Sequence, residues 1–264
     1  LTSDEYDAFL REALPPLGLC PSAYRRRNIK RRIVRRMESA AIHEFPRYLD
    51  LVLRDTEERE ALRSLLVVTI SRFFRNARVF RVLSQEILPR LATKVTHPAV
   101  WSAGCAAGEE PYSIHIAWKE LPGDKPDLLL VATDADPVSL ERAAAGCYPE
   151  SSLREVPDRL RRIYFEREGD LYRVREEVRR SVLFRKLDLL RELSPGRFDL
   201  ILCRNTAFTY FSPEKRQTVS EMLAAGLKEG GNLIIGRTEN LPVEAVNRFE
   251  LVFPAEKIYR LRPA

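Results

Sequence analysis

Histidine and cysteine are scarce in this chain, three and four residues among 264. Cys20, Cys105, Cys147 and Cys203 stand far apart with no C-x-x-C pair, and His43, His97 and His115 share no ligand spacing. These absences argue against a zinc site or a disulfide framework and suit reduced thiols in a cytosol. No metal is expected. No apolar run is long enough to cross a membrane and no signal peptide is visible, so a cytoplasmic protein without membrane insertion is expected. No Gly-Lys-Ser/Thr follows a glycine-rich turn, which disfavours a phosphate-cradling loop. No Ser-His-Asp arrangement can be proposed from residue order. Internal repeats and low-complexity tracts are missing as well.

What is present reads as an ordinary globular chain, 45% hydrophobic and 31% charged, large enough for one α/β domain plus a small module. Residues 1–75 read as helices, the first starting at Ser3-Asp4-Glu5 and a second running from Pro21-Ser22 to about Ala40. Asp55 and Glu58 form a capping box for a helix through Val68, and Asn76 caps another over 77–88. From Val100 the pattern turns to strands alternating with helices, which predicts a mostly parallel sheet. Gly230-Gly231 ends the last long helix, and ELVFPAEKIYRL (250–261) reads as an antiparallel pair. Residues 148–187 interrupt the alternation as a small inserted hairpin or subdomain. The expected division is a helical domain over 1–75 and an α/β domain over 76–264.

WSAGCAAGEEPYS (101–113) is a strand end, a small-residue turn and a helix opening with acids; LLLVATDAD (128–136) is a second strand ending in an acid. Gly104, Ala106 and Gly108 let backbone approach a ligand, and Asp134 is placed to accept two ribose hydroxyls. FDLILCRN (198–205) puts Arg204, Asn205 and Thr206 beyond another strand end, with Tyr210 just after, where such sheets bind ligands. Asn205 also reads as a helix cap. The turn is the looser form found in S-adenosylmethionine (SAM) methyltransferases. The Pro-Pro-aromatic turn of base-methylating enzymes is absent, which argues against amino-methylation of bases. A carboxylate acceptor needs no general base, since a glutamate with a reference pKa of ~4.3 is ionised at neutral pH.

Arg25 to Arg36 carry a run of cations without an acid. On a helix Arg25, Arg31, Arg32, Arg35 and Arg36 share an arc of roughly 140°, opposite Ile29, Ile33, Val34 and Met37. This face is either merely solvated or built for an acidic partner, a protein helix or a nucleic acid.

Together the motifs SRFFRN (71–76), SAGCAAGEEPYSI (102–114), ATDADPVSLERAAAGCY (132–148) and FDLILCRN with Tyr210-Phe211 resemble the chemotaxis receptor glutamate O-methyltransferases, the CheR type, from about residue 3 to 262. The resemblance implies a SAM-dependent methyltransferase fold, Rossmann-like, with a helical N-terminal domain and an inserted β-subdomain. It implies SAM as cofactor and an acidic helical protein, a chemoreceptor, as substrate, with no nucleic acid. Carried over by position, Arg75 meets the SAM carboxylate and serves catalysis together with Tyr210 at the methyl-transfer centre. Glu110, with Glu109 as the neighbouring alternative, faces the amino group, and Asp134 the ribose. Asp188 and Leu189 stand beside the adenine, where the family has Asn-Leu, and Asn205 and Thr206 contact the ligand. Thr69 and Ser71 stand where the family has Asn and Thr. Lys94 or Arg90 is nearest to an expected upstream arginine. Phe208 departs from the family, and so does Arg237 of GRTE (236–239), where it has Gly-His-Ser-Glu. Those departures leave open a methyltransferase for another protein or a small carboxylic acid, or a regulatory module that binds SAM or its product. The short turn in EREGDLYRV (166–174) implies no tether for a receptor's C-terminal peptide.

Overall fold

The computed structural model describes residues 2–66 and 71–263. Helices α1 (Ser3–Ala13), α2 (Arg27–Ser39), α3 (Phe45–Arg54) and α4 (Thr56–Leu66) form the N-terminal part. Their apolar stripes meet in one core: Phe9 and Leu10 of α1, Ile29 and Ile33 of α2, Tyr48 of α3 and Leu62 of α4. Thr2 and Glu5 cap α1 reciprocally.

Two local features differ from the sequence pattern. Pro21–Tyr24 is a 3-10 turn and α2 begins only at Arg27, so Arg25 stands before the helix, 3.4 Å from Asp7. The Asp55/Glu58 box is half made. Asp55 accepts the amides of Glu57 and Glu58 at 2.7 and 3.2 Å, but the Glu58 carboxylate turns inward. It takes a forked bond from Arg36 and the Tyr48 hydroxyl at 2.7 Å, donors that outcompete an exposed backbone amide.

Helix α5 (Ala77–Val82) runs through a wide turn at Leu83–Ile87 into α6 (Leu88–Lys94). Asn76 precedes it in the left-handed region, φ 69°, without a side-chain cap bond. Then strands and helices alternate: β1 (Ala99–Ala103), α7 (Glu109–Lys119), β2 (Leu129–Asp134) and α8 (Pro137–Ala145). The insertion holds β3 (Cys147–Pro149), α9 (Asp158–Tyr164), β4 (Phe165–Glu168), β5 (Leu171–Val174) and α10 (Glu176–Arg179). After β6 (Val182–Lys186) come β7 (Phe198–Cys203), α11 (Ala207–Tyr210), α12 (Pro213–Gly226), β8 (Leu227–Ile235), β9 (Phe249–Phe253) and β10 (Ile258–Leu261).

The main sheet has the order β6-β2-β1-β7-β8-β10-β9. Its first five strands are parallel, and β10 runs antiparallel between β8 and β9. Alternate side chains feed two cores, as strand period demands. Val100, Leu130 and Leu202 pack towards α5 to α7 and the insertion, whereas Trp101, Val131 and Ile201 pack towards α12. The small sheet runs β3-β5-β4, and residues 182–186 join the main sheet beside β2. Gly230-Gly231 lies inside β8, not at the helix end. A Cβ on Gly231 would come 2.9 Å from the Lys228 carbonyl, and the pairing with β7 shifts register there, so the glycines serve a bulge. No helix among the described residues is long and apolar enough to cross a membrane.

Candidate active site

β1 pairs with β2 on one side and β7 on the other, and the chain reverses its direction of winding between them. A crevice opens beyond the carboxyl ends of strands at such a point. Here it measures about 510 Å³ and is lined by Gly104, Ala106, Asp134, Asp188, Leu189 and Thr206, with Tyr24 and Arg63 facing them from the helical part. A smaller chamber of about 40 Å³, lined by Ser71, Arg75, Glu110 and Arg204, shares Gly104, Ala106 and Asn205 with it.

The turn after β1 is fixed by the Gly104 and Cys105 amides, which both donate to the Thr133 carbonyl at 2.8 and 2.9 Å. Gly104 has φ 79°, and a Cβ there would come 2.7 Å from the Thr206 methyl. Gly108 has a different task from the one expected. It does not line the cleft. It begins α7 at φ 93°, and Ala143 and the Tyr148 hydroxyl fill the space a Cβ would need.

Asp134 ends β2 and accepts the Ala106 amide at 2.8 Å and the Asp136 amide at 3.0 Å. Burial pushes its carboxyl above the ordinary range, and the two amides oppose that shift. Each oxygen keeps a lone pair for a further donor. Asp188 lies across the cleft, where its carboxylate accepts the Leu190 amide at 2.9 Å and faces Arg63 at 3.7 Å and Arg191 at 3.6 Å. Arg191 also meets Glu60 at 2.7 Å, so α4 is fastened to this wall by ion pairs.

In the smaller chamber Glu110 accepts the Ser102 hydroxyl at 2.8 Å and Arg204 at 3.0 Å. The Arg204 side chain is 4% exposed and also donates to the Arg75 carbonyl at 2.8 Å. Burial, then the neighbouring Arg204 and Arg72, pull the Arg75 guanidinium below its usual pKa, an environment that favours an incoming anion.

Asn205 sits at φ 55° where the chambers meet. Its amide donates at 3.0 Å to Glu239, a carboxylate only 3% exposed, which also accepts the Gly236 amide and the Thr209 hydroxyl. Glu239 therefore ties β8, the Asn205 turn and α11 together. In the GRTE segment (236–239) the arginine stands out in sequence, yet the acid is the residue that bonds to the site. Tyr210 lines the cleft, with Tyr24 at 5.4 Å between ring centroids and the Arg26 guanidinium 5.9 Å from its own ring centroid. The contact is secured by backbone: Leu19 bridges Phe211, and the Cys20 amide donates to the Tyr210 carbonyl at 2.8 Å.

Of the expected site residues, Asp134, Asp188, Leu189, Thr206 and Tyr210 line the larger chamber, Ser71, Arg75 and Glu110 the smaller, and Gly104 and Asn205 both. Thr69 lies outside the described residues. Phe208 packs in the core shared with α12 and Arg237 is exposed, and neither lines either chamber, so these departures do not reshape the cleft. Arg90 and Lys94 line a separate cleft with Glu229 and Arg260. Arg36, expected on the open cationic face, is engaged by Glu58, whereas Arg31 and Arg35 are exposed.

The family description "CheR methyltransferase, all-alpha domain" matches residues 4–67, and "CheR methyltransferase, SAM binding domain" matches residues 69–258. A chemotaxis protein methyltransferase of Listeria innocua is 34% identical over 238 residues, 90% of this chain and 90% of that one. One from Borreliella burgdorferi is 28% identical over 97% of this chain and 94% of its own. An uncharacterized 104.1 kDa protein of Rhodobacter capsulatus is 31% identical over 91% of this chain, which spans only 26% of that relative. The helical part, the SAM-type turn and the ligand-facing strand ends thus match as one unit, and the chain belongs to the CheR methyltransferase family.

Proposed function

We propose that this protein is a SAM-dependent O-methyltransferase that forms methyl esters on glutamate side chains of an acidic helical protein, a chemoreceptor, in the cytoplasm. The observation that carries this reading is the pair of joined chambers, with a ribose-type acid at one end and a cation beside an acid at the other. That charge pattern fits SAM: Asp134 for the ribose hydroxyls, Asp188 and Leu189 for the adenine, Arg75 for the carboxylate and Glu110 for the amino group. When bound, SAM supplies an electrophilic methyl group, which a carboxylate oxygen takes while the C–S electron pair stays on sulfur.

This chain's own residues position and desolvate. Asn205, Thr206 and the Gly104 turn shape the neck between the chambers, and Tyr210 forms the wall facing the helical part. A glutamate acceptor arrives ionised, so no side chain has to remove a proton, and in-line placement in a dry neck is the main requirement. Tyr24 and Arg26 cover Tyr210 from the turn just before α2. The exposed Arg31 and Arg35, with Arg32, continue from there as the docking face for an acidic helix, where complementary charge sets encounter and register. The β4–β5 hairpin has only Gly169-Asp170 between its paired ends, which supports the absence of a peptide tether.

The test is methyl transfer from radiolabelled SAM to receptor-containing membranes. Mild alkali should release the label as methanol. Label that survives alkali would sink the carboxylate reading, and no transfer to any acidic protein would favour a regulatory module that only binds the cofactor.

A further inference from the structure

Arg75 sits in a turn whose shape is unfavourable by itself. Phe74 before it and Asn76 after it both adopt left-handed backbone, φ 54° and 69°, which non-glycine residues rarely do. Surrounding groups impose that shape. The Phe74 amide donates to the Ser113 hydroxyl of α7 at 2.8 Å, and the Phe73 amide to the Ser152 carbonyl at 3.0 Å. The Phe73 ring, fully buried, lies edge-on to Tyr148 and Phe165 at 4.8 and 4.9 Å. Those rings belong to β3 and β4 of the inserted sheet.

One side chain brackets the arginine. Glu155, from the loop between β3 and α9, accepts the Asn76 amide at 3.1 Å, one residue after Arg75, and pairs with Arg72 at 3.7 Å, three residues before it. The Arg75 amide closes the loop onto the Arg72 carbonyl at 3.3 Å. Both ends of the turn are thus held by a single carboxylate that neither chamber includes among its lining residues.

We infer that Glu155 is a positioning residue for cofactor binding: it holds the turn that aims Arg75 into the smaller chamber, and so makes the inserted sheet part of the clamp on the amino-acid end of SAM. This rests on the SAM reading above. The effect should be confined to ligands that carry a carboxylate for Arg75 to meet. S-adenosylhomocysteine has one. 5′-Methylthioadenosine keeps the adenosine and the thioether and lacks the amino acid.

The experiment is calorimetric titration of both ligands into the full chain. Glu155→Ala should weaken S-adenosylhomocysteine on the order of tenfold, the equivalent of one displaced charged contact, and leave methylthioadenosine within twofold. The KM for SAM should rise by a similar factor with kcat at saturating SAM nearly unchanged. Glu155→Gln keeps a carbonyl for the Asn76 amide and should recover most of the affinity. If Glu155→Ala does not fold, Glu155→Gln, which gives up the ion pair with Arg72 and keeps an acceptor for the Asn76 amide, should still give a small shift with the same selectivity. Equal losses for both ligands, or no loss for S-adenosylhomocysteine, would overturn the inference. A wild-type protein that binds neither ligand would instead refute the SAM reading, and the inference with it.

Discussion

Replacing Glu239 tests how the neck of the active site is held. Its carboxylate takes the Asn205 amide at 3.0 Å, the Gly236 amide at 2.5 Å and the Thr209 hydroxyl. Glu239→Ala strands two backbone donors, since the half-buried Thr209 can turn towards water. A buried donor left without an acceptor costs about 1–3 kcal/mol, so the pair sums to roughly 2–6 kcal/mol. Water entering the vacated space offsets part of this, and about 2–4 kcal/mol is the expected loss. Glu239→Gln should behave differently. Its carbonyl can accept both amides while its NH₂ donates to the Thr209 oxygen, so less than about 1 kcal/mol should be lost. Denaturant unfolding gives both numbers. Calorimetry with S-adenosylhomocysteine should then show the alanine variant binding more weakly, because Asn205 is no longer held at φ 55°. Gly236→Ala should resemble Glu239→Ala, since a Cβ there would come 2.5 Å from the Glu239 oxygen and 2.8 Å from the Asn205 side-chain amide. If glutamine costs as much as alanine, charge rather than hydrogen bonding holds the neck. If alanine costs less than about 1 kcal/mol, these bonds do not hold it at all.

Cofactor affinity should fall on acidification as Asp134 takes up a proton. Burial raises its pKa above 3.8, so the fall should begin at a higher pH than for an exposed aspartate; Asp134→Asn should lose about 1.5–3 kcal/mol of binding and flatten the titration. His115 is held neutral, its pKa pushed down to about 4 by burial and then by Lys119. The unfolded chain therefore binds more protons, and stability should drop as pH falls from about 6.5 to about 4, a slope that His115→Gln should remove in denaturation series. On α2, Arg36→Ala should cost about 1–3 kcal/mol of folding stability by leaving the buried Glu58 carboxylate without its cation, with the Tyr48 hydroxyl still bonded to it. The double reversal of Arg31 and Arg35 to glutamate should leave stability and SAM affinity alone, raise the KM for the acidic protein and flatten its salt dependence. An unchanged KM at low salt would make α2 a solvated face.

The alternating strands, the turn at Gly104 and the acid at Asp134 were legible because backbone period and strand-end position dictate them. Side-chain partners were not. Glu58 has the spacing of a cap residue, yet a guanidinium and a phenol from helices distant in sequence compete for it. Gly230-Gly231 suits a helix end as well as a bulge, and only the pairing with β7 decides. Gly108 fits the small-residue rule of a cofactor turn, but Ala143 and Tyr148, from later segments, occupy its space. Arg36 falls on the cationic arc and is withdrawn from it by α4. In each case the deciding atom comes from a segment that local spacing does not see.

The two edges that join the helical part to the cleft differ in kind. One is a backbone seam beside Tyr210, made by the Leu19 bridge, the Cys20 amide and the Ser212 amide on Gly18 at 2.9 Å. The other consists of Arg191 with Glu60 and Arg63 with Asp188, partly exposed to solvent. Dissolved salt weakens solvent-exposed charge pairs, partly buried ones much less, and barely touches uncharged backbone bonds. Rising ionic strength thus loosens the Asp188 wall, chiefly through its exposed Arg191–Glu60 pair, and spares the tyrosine wall, which makes salt a one-sided probe of how the cleft opens.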